Sequence, residues 1–175
     1  MELEAQIAAI RQETPSVKSF VLDLQGQQMP FVPGQYIDLV IETDYDSLIG
    51  GFSITSSPLR KDSLELAVEF RPDRPMAAYL HDKAQVGDEV LVLGASGEFV
   101  YRPEMGNSLV LIAGGIGITP FVSMVRFVDE AQLDTRVSLL YSARTPADLV
   151  FLDELRSIAT RNPRIDCLFT VTRPT

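Results

Sequence analysis

Between Tyr101 and Asn107 the hydrophobic period of the chain changes, and with it the kind of sheet that each side can build. N-terminal to this segment, apolar residues alternate with polar ones, as they do along strands with one face in a core. Phe20, Leu22 and Leu24 share one strand face, Ile37, Leu39 and Ile41 a second, and Leu64, Leu66, Val68 and Phe70 a third. Further strands are expected near Glu4–Ile10, Gly51–Thr55 and Glu89–Leu93, with Met76–Asp82 as one short helical insert. Six such strands are enough to close a small antiparallel Greek-key β-barrel. C-terminal to the segment, Leu109–Ala113, Thr119–Ala131, Arg136–Ser142, Pro146–Thr160 and Ile165–Thr172 read alternately as strand and helix. That order belongs to an α/β unit on a parallel sheet. Pro, Gly and polar residues in YRPEMGN mark the boundary, so two domains are expected, a barrel over 1–101 and an α/β domain over 107–175.

The first α/β junction, LVLIAGGIGITP, carries the chemistry. Leu109–Ala113 is apolar on both faces, which predicts a strand buried at the centre of its sheet. Gly114, Gly115 and Gly117 then remove side chains where a diphosphate would approach the backbone. Thr119 followed by Pro120 reads as an N-cap and first helical residue, so that free amide groups at the helix start face an anion. Phe121, Met124, Val125 and Val128 continue at helical spacing. The same syntax recurs at Thr145, Pro146 and Asp148, a capping box that predicts a helix running on from Pro146.

Composition narrows the function classes. A net charge of −9 argues against a general nucleic-acid or anionic-membrane binder, which needs a basic surface. The single cysteine, Cys167, excludes an internal disulfide framework and a four-cysteine iron–sulfur cluster, and it reads as a small apolar strand residue. The one histidine, His81, has no nucleophile placed beside it and reads as structural rather than as a base. The N-terminus MELEAQIAAIR lacks the basic start and apolar centre of a signal peptide, and no segment reaches membrane-spanning length; a cytoplasmic protein is expected.

Several motifs then occur in a fixed order: Pro33-Gly34-Gln35-Tyr36, Gly51-Phe52-Ser53-Ile54-Thr55-Ser56-Ser57-Pro58, Met76-Ala77-Ala78-Tyr79-Leu80, Gly87-Asp88 with Gly97-Glu98-Phe99, and the glycine turn. In this order they resemble the ferredoxin–NADP reductase-like flavoprotein superfamily, and more closely its small "oxidoreductase NAD-binding domain-containing" members. The resemblance implies FAD and NAD(P)H as cofactors. It places Phe52 against the isoalloxazine ring, Ser53 in hydrogen-bond reach of flavin N5 as the catalytic residue, and Ile54 and Thr55 beside them. Met76, Ala77 and Ala78 would present amides to the flavin phosphates. Gly114, Gly115, Gly117, Ile118, Thr119 and Pro120 would hold the nicotinamide nucleotide's diphosphate.

This chain departs from the family at named positions. The family's Arg-x-Tyr-Ser/Thr falls on Gly50-Gly51-Phe52-Ser53, so the arginine that neutralises the FAD pyrophosphate is Gly50, which implies either weak FAD binding or substitution by Arg71 or Arg74 from nearby. By this resemblance Gly50→Arg is expected to tighten FAD. The acid expected about 20 positions beyond the glycines is missing. Ser142 and Arg144, with Thr172 and Arg173, are instead the residues that surround a 2′-phosphate in NADPH-using relatives, a lean to NADPH. Relatives also continue with two further strands and a Cys-Gly-Pro-Pro-like segment, so the resemblance implies a C-terminally truncated sequence with an open edge on Leu109–Ala113. The reading is a flavin-dependent NAD(P)H oxidoreductase that hands electrons to an unidentified acceptor, either a small molecule or a redox protein. A non-catalytic binding or regulatory relative and an electron-transfer subunit of a larger complex stand as alternatives. FAD against FMN and NADH against NADPH stay open.

Overall fold

A computed structural model describes residues 1–43 and 47–173. The N-terminal half is one six-stranded sheet built from β1 (Glu2–Thr14), β2 (Val17–Asp23), β3 (Tyr36–Glu42), β4 (Ser47–Ser53), β5 (Ser63–Glu69) and β6 (Glu89–Ser96), with α1 (Pro75–Asp82) between the last two. The strands lie in the order β4-β3-β6-β1-β2-β5, every pair antiparallel. A bridge between Ile54 and Leu66, backed by the Thr55 amide donating to the Glu65 carbonyl at 2.8 Å, brings the two ends of this order together. The expected alternation supplies the core, since Phe20, Leu22, Ile37, Leu39, Leu64 and Leu66 are all buried inside. Phe70 departs from it. The strand ends at Glu69, and the Phe70 ring packs 5.4 Å from that of His81 at the surface.

The C-terminal half is a parallel sheet of β7 (Ser108–Gly114), β8 (Arg136–Ala143) and β9 (Ile165–Val171), in that spatial order, with α2 (Thr119–Glu130) and α3 (Leu152–Arg161) as the crossovers. Leu111, Ala113, Leu139 and Tyr141 face the helices and are buried together with Val122, Val125, Leu155 and Ile158. Val17, Ala67 and Tyr101 from the barrel side join this cluster, so the two halves share packed surface. Tyr101 also hydrogen-bonds Thr135 Oγ1 at 2.8 Å.

Three expectations are corrected here. Leu109–Ala113 is not the buried centre of a sheet: β7 is an edge strand, and Val110 and Ile112 are 74% and 68% exposed. Successive crossovers in one direction place both helices on one face, which leaves the opposite face uncovered among the described residues. Thr119 is not an N-cap. A 3₁₀ turn over Gly115–Ile118 leads straight into α2, and Thr119 Oγ1 donates back to the Ile116 carbonyl at 3.0 Å. The capping box at Thr145 and Asp148 does form, with the Thr145 amide donating to Asp148 at 3.0 Å, but it heads only a single 3₁₀ turn. The Val150 amide donates instead to the Tyr141 hydroxyl at 3.1 Å, Phe151 adopts φ +59°, and the helix starts at Leu152.

Candidate cofactor clefts

The antiparallel pairing of β4 with β3 sets Phe52 opposite Ile37 and Ser53 opposite Tyr36. Because Ile54 turns inward to bridge Leu66, Ser53 falls on the outer side of the barrel wall. There a cleft of about 660 Å³ opens between Gly50–Ser53, the end of β5, the start of α1, and Ile116, Gly117, Thr119 and Pro120. Its volume is that of a small-molecule site. Phe52 is half-buried against the barrel core. The Ser53 hydroxyl has no protein partner among the described residues, so it is free for a bound group.

Pro75 has no amide proton, and the Ala78 amide is committed to the Arg74 carbonyl at 3.0 Å. The unsatisfied donors at the start of α1 are therefore those of Met76 and Ala77, both of which line the cleft. Ala78 does not line it. Ile54 and Thr55 do not either. Both are fully buried, Ile54 in the barrel core and Thr55 with its hydroxyl donating to the Glu65 carbonyl at 3.0 Å. Barrel closure explains this: β4 ends at Ser53, and the Ile54 bridge to Leu66 together with the Thr55 amide donating to Glu65 draws both residues away from the cleft.

The position of the family arginine is also filled. A Cβ on Gly50 would stand 2.7 Å from Met76 Cγ, 2.9 Å from Met76 Cβ and 3.0 Å from Phe52 Cε2. Gly50→Arg alone cannot restore the missing contact while Met76 holds that space. Arg71 and Arg74 line the cleft, but Arg71 is paired with Asp73 at 3.0 Å, whereas Arg74 forms no ion pair among the described residues.

A second cleft, of about 460 Å³, lies at the C-terminal ends of the parallel strands, where open α/β sheets bind their ligands. Gly114, Gly115 and Ile116 form one wall, and Ser142, Arg144, Asp148 and Thr172 the other. Gly115 lies at φ +52°, in the left-handed region that favours glycine. Gly114 and Gly117 do not: their backbones are ordinary, and an added Cβ would meet nothing within 4 Å. The protein's own packing therefore gives no reason for glycine at either position, whereas the approach of a ligand does. Ile118 is fully buried and lines neither cleft. Arg173 is exposed and does not line the second cleft, although its amide donates to the Arg144 carbonyl at 2.8 Å.

Glu69 and Ile116 line both clefts. Neither residue stood out in the sequence, because Glu69 is merely the last polar residue of an alternating strand. The remaining singled-out residues are structural. His81 Nε2 lies 2.8 Å from the Val68 carbonyl. Burial, with the neighbouring Asp166, pushes the Cys167 thiol up to about 11. Burial likewise raises the Tyr141 phenol to about 12. No three acidic, histidine or cysteine side chains among the described residues are grouped to hold a metal ion.

A closed antiparallel barrel whose outer wall meets a glycine turn at the top of a parallel sheet is the two-domain architecture of the ferredoxin reductase type. The chain belongs to this family, matching the Oxidoreductase FAD-binding domain over residues 4–101 and the Oxidoreductase NAD-binding domain over residues 111–175. It is 33% identical over 153 residues to the glycine betaine monooxygenase reductase subunit of Chromohalobacter salexigens, covering 87% of this chain and 42% of that protein. It is 34% identical to the human oxidoreductase NAD-binding domain-containing protein 1, covering 98% of this chain and 59% of the relative. Among solved structures, a ferredoxin NADP+ reductase from Neisseria gonorrhoeae with bound FAD and NADP superposes with a TM-score of 0.83 at 28% identity, over 99% of this chain and 70% of that one. Phthalate dioxygenase reductase gives 0.84 at 28%, over 98% and 52%. The chain thus spans about half the length of the curated relatives it matches. No helix of the described residues is long and apolar enough to cross a membrane.

Proposed function

We propose that the protein is the flavin-bearing reductase of an electron-transfer system, oxidising NAD(P)H in the second cleft and passing electrons through FAD in the first to a protein acceptor. The single observation that carries this reading is the junction of the two clefts at Glu69 and Ile116. Two redox cofactors exchange hydride only at contact distance, and here their clefts share walls. FAD, when bound, supplies hydride acceptance at N5 and the release of electrons one at a time. The chain supplies orientation and electrostatics. Phe52 gives an apolar aromatic surface that excludes water from the ring. The free Ser53 hydroxyl donates a hydrogen bond at N5. The Met76 and Ala77 amides, with Arg74, take the flavin phosphates. Gly114 and Gly115 let the nucleotide diphosphate reach the backbone, and Arg144 and Thr172 hold the adenosine end, in keeping with NADPH. Relatives are named as reductase components of monooxygenases, which supports an oxygenase-system protein as the acceptor.

The test is the visible spectrum of the purified protein before and after NAD(P)H. Flavin bands that bleach on addition are expected, and Ser53→Ala should retain flavin but bleach more slowly. A protein that takes up no flavin would refute the reading and leave the non-catalytic alternative, which the loss of the arginine at Gly50 favours.

A further inference from the structure

Arg126 is a charged side chain in the middle of α2, buried beside Val122, Val125 and Val128, and it is only 8% exposed. Its guanidinium makes four hydrogen bonds. Nη1 donates to the Thr55 carbonyl at 2.9 Å and to Glu65 Oε1 at 2.6 Å, while Nε and Nη2 donate to the two oxygens of Glu154 at 2.7 Å each. The Phe151 ring stacks 5.1 Å from it. Glu65 is held in turn by Arg11 and by the Thr55 hydroxyl. One turn earlier on the same helix, Ser123 Oγ donates to the Ser56 carbonyl at 2.7 Å.

A buried ion pair contributes little net stability compared with apolar packing, but a bidentate arginine imposes a specific geometry. The geometry imposed here is telling. Thr55 and Ser56 follow within three residues of Ser53 at the end of β4, and α2 runs on without a break from the glycine turn. Glu154 on α3 fixes the guanidinium from the far side.

We propose that Arg126 is the positioning residue that sets the separation between the flavin wall and the nucleotide turn. It touches neither cleft. It acts through Thr55 and Ser56 on one side and through the axis of α2 on the other. The proposal rests on the two-cofactor reading above, in which a displacement of about 1 Å costs about a hundredfold in rate.

The test uses the full chain loaded with FAD. Removing Arg126 alone would leave the buried Glu65 carboxylate with only the half-exposed Arg11 as its counter-charge, so the informative variant is the charge-balanced pair Arg126→Met with Glu65→Gln. Its flavin content and its dissociation constant for NAD(P)+ should stay unchanged, while the limiting rate of flavin reduction by NAD(P)H falls by about tenfold or more. Arg126→Lys keeps the charge but cannot span Thr55, Glu65 and Glu154 at once, so it should fold and remain slow. In the absence of NAD(P)H, amide hydrogen exchange over residues 115–123 should be faster in the paired variant, with β3 and β6 unchanged. A wild-type limiting rate in the paired variant, full rescue by lysine, a rate that falls only in proportion to lost flavin, or unaltered exchange would each overturn the proposal. If the wild-type flavin is not reduced by NAD(P)H, the two-cofactor reading fails and exchange alone decides: faster exchange upholds the link, and unchanged exchange overturns it.

Discussion

Gly50 and Met76 form a pair in which each residue dictates the other. Met76 is 3% exposed, and its Cβ and Cγ lie where a side chain at position 50 would stand. Because these atoms sit at the root of the Met76 side chain, α1 itself must shift to admit even a methyl group. Gly50→Ala should therefore overpack the junction and cost about 1–3 kcal/mol. Met76→Ala should leave a cavity and cost about 2–5 kcal/mol. In the double variant the 2.7 Å contact with Cγ is gone while the 2.9 Å contact with Cβ remains, so part of the overpacking is relieved and the combined cost should fall short of the sum by about 1 kcal/mol. Urea unfolding of the four proteins without cofactor measures this coupling. The same geometry governs flavin affinity: Gly50→Arg alone should weaken FAD, whereas Gly50→Arg with Met76→Gly, which removes both Cβ and Cγ, should tighten it by about tenfold, one charge-assisted phosphate contact. Additive stability changes, or tighter FAD in Gly50→Arg alone, would show that Met76 does not occupy the arginine's space.

Gly114→Val should change stability by about 0.5 kcal/mol or less, since its side chain enters open space. The same variant should lose flavin reduction by NAD(P)H while dithionite still reduces the flavin, and stopped-flow comparison of the two reductants checks this. For Glu65, burial pushes the carboxyl up, but the Arg126 guanidinium, by charge and hydrogen bond, and then Thr55 and Arg11 outweigh it and hold the group below the ordinary 4.5. A depressed carboxyl contributes stability that is complete above pH 4.5 and lost as pH falls through its lower folded-state value. Denaturation midpoints measured from pH 6 down to about pH 3 should therefore fall less steeply in Glu65→Gln than in the wild type. Cys167, raised from 9.0 to about 11, should alkylate about a hundredfold more slowly than an unfolded thiol at pH 8. Mass spectrometry after iodoacetamide treatment would expose rapid native labelling and refute that environment.

The strands, the glycine turn and the order of strand and helix were legible in the sequence because they are written in local spacing. Alternation at Phe20 and Leu22 or at Ile37 and Leu39 needs no knowledge of a partner strand, and three glycines after an apolar run mark a turn wherever the chain goes. The tertiary structure alone decided which residues of a motif line a cleft. Ile54 and Thr55 lie in the same motif as Phe52 and Ser53, yet barrel closure onto Leu66 and Glu65 turns them inward. The break before α3 depends on the Tyr141 hydroxyl catching the Val150 amide, and the filling of the arginine position depends on α1 bringing Met76 against Gly50. Arg126 reads in sequence as one more helical arginine; only folding brings Thr55 and Glu65, 71 and 61 residues away, to its guanidinium. Such contacts join residues far apart along the chain, and local periodicity carries no record of them.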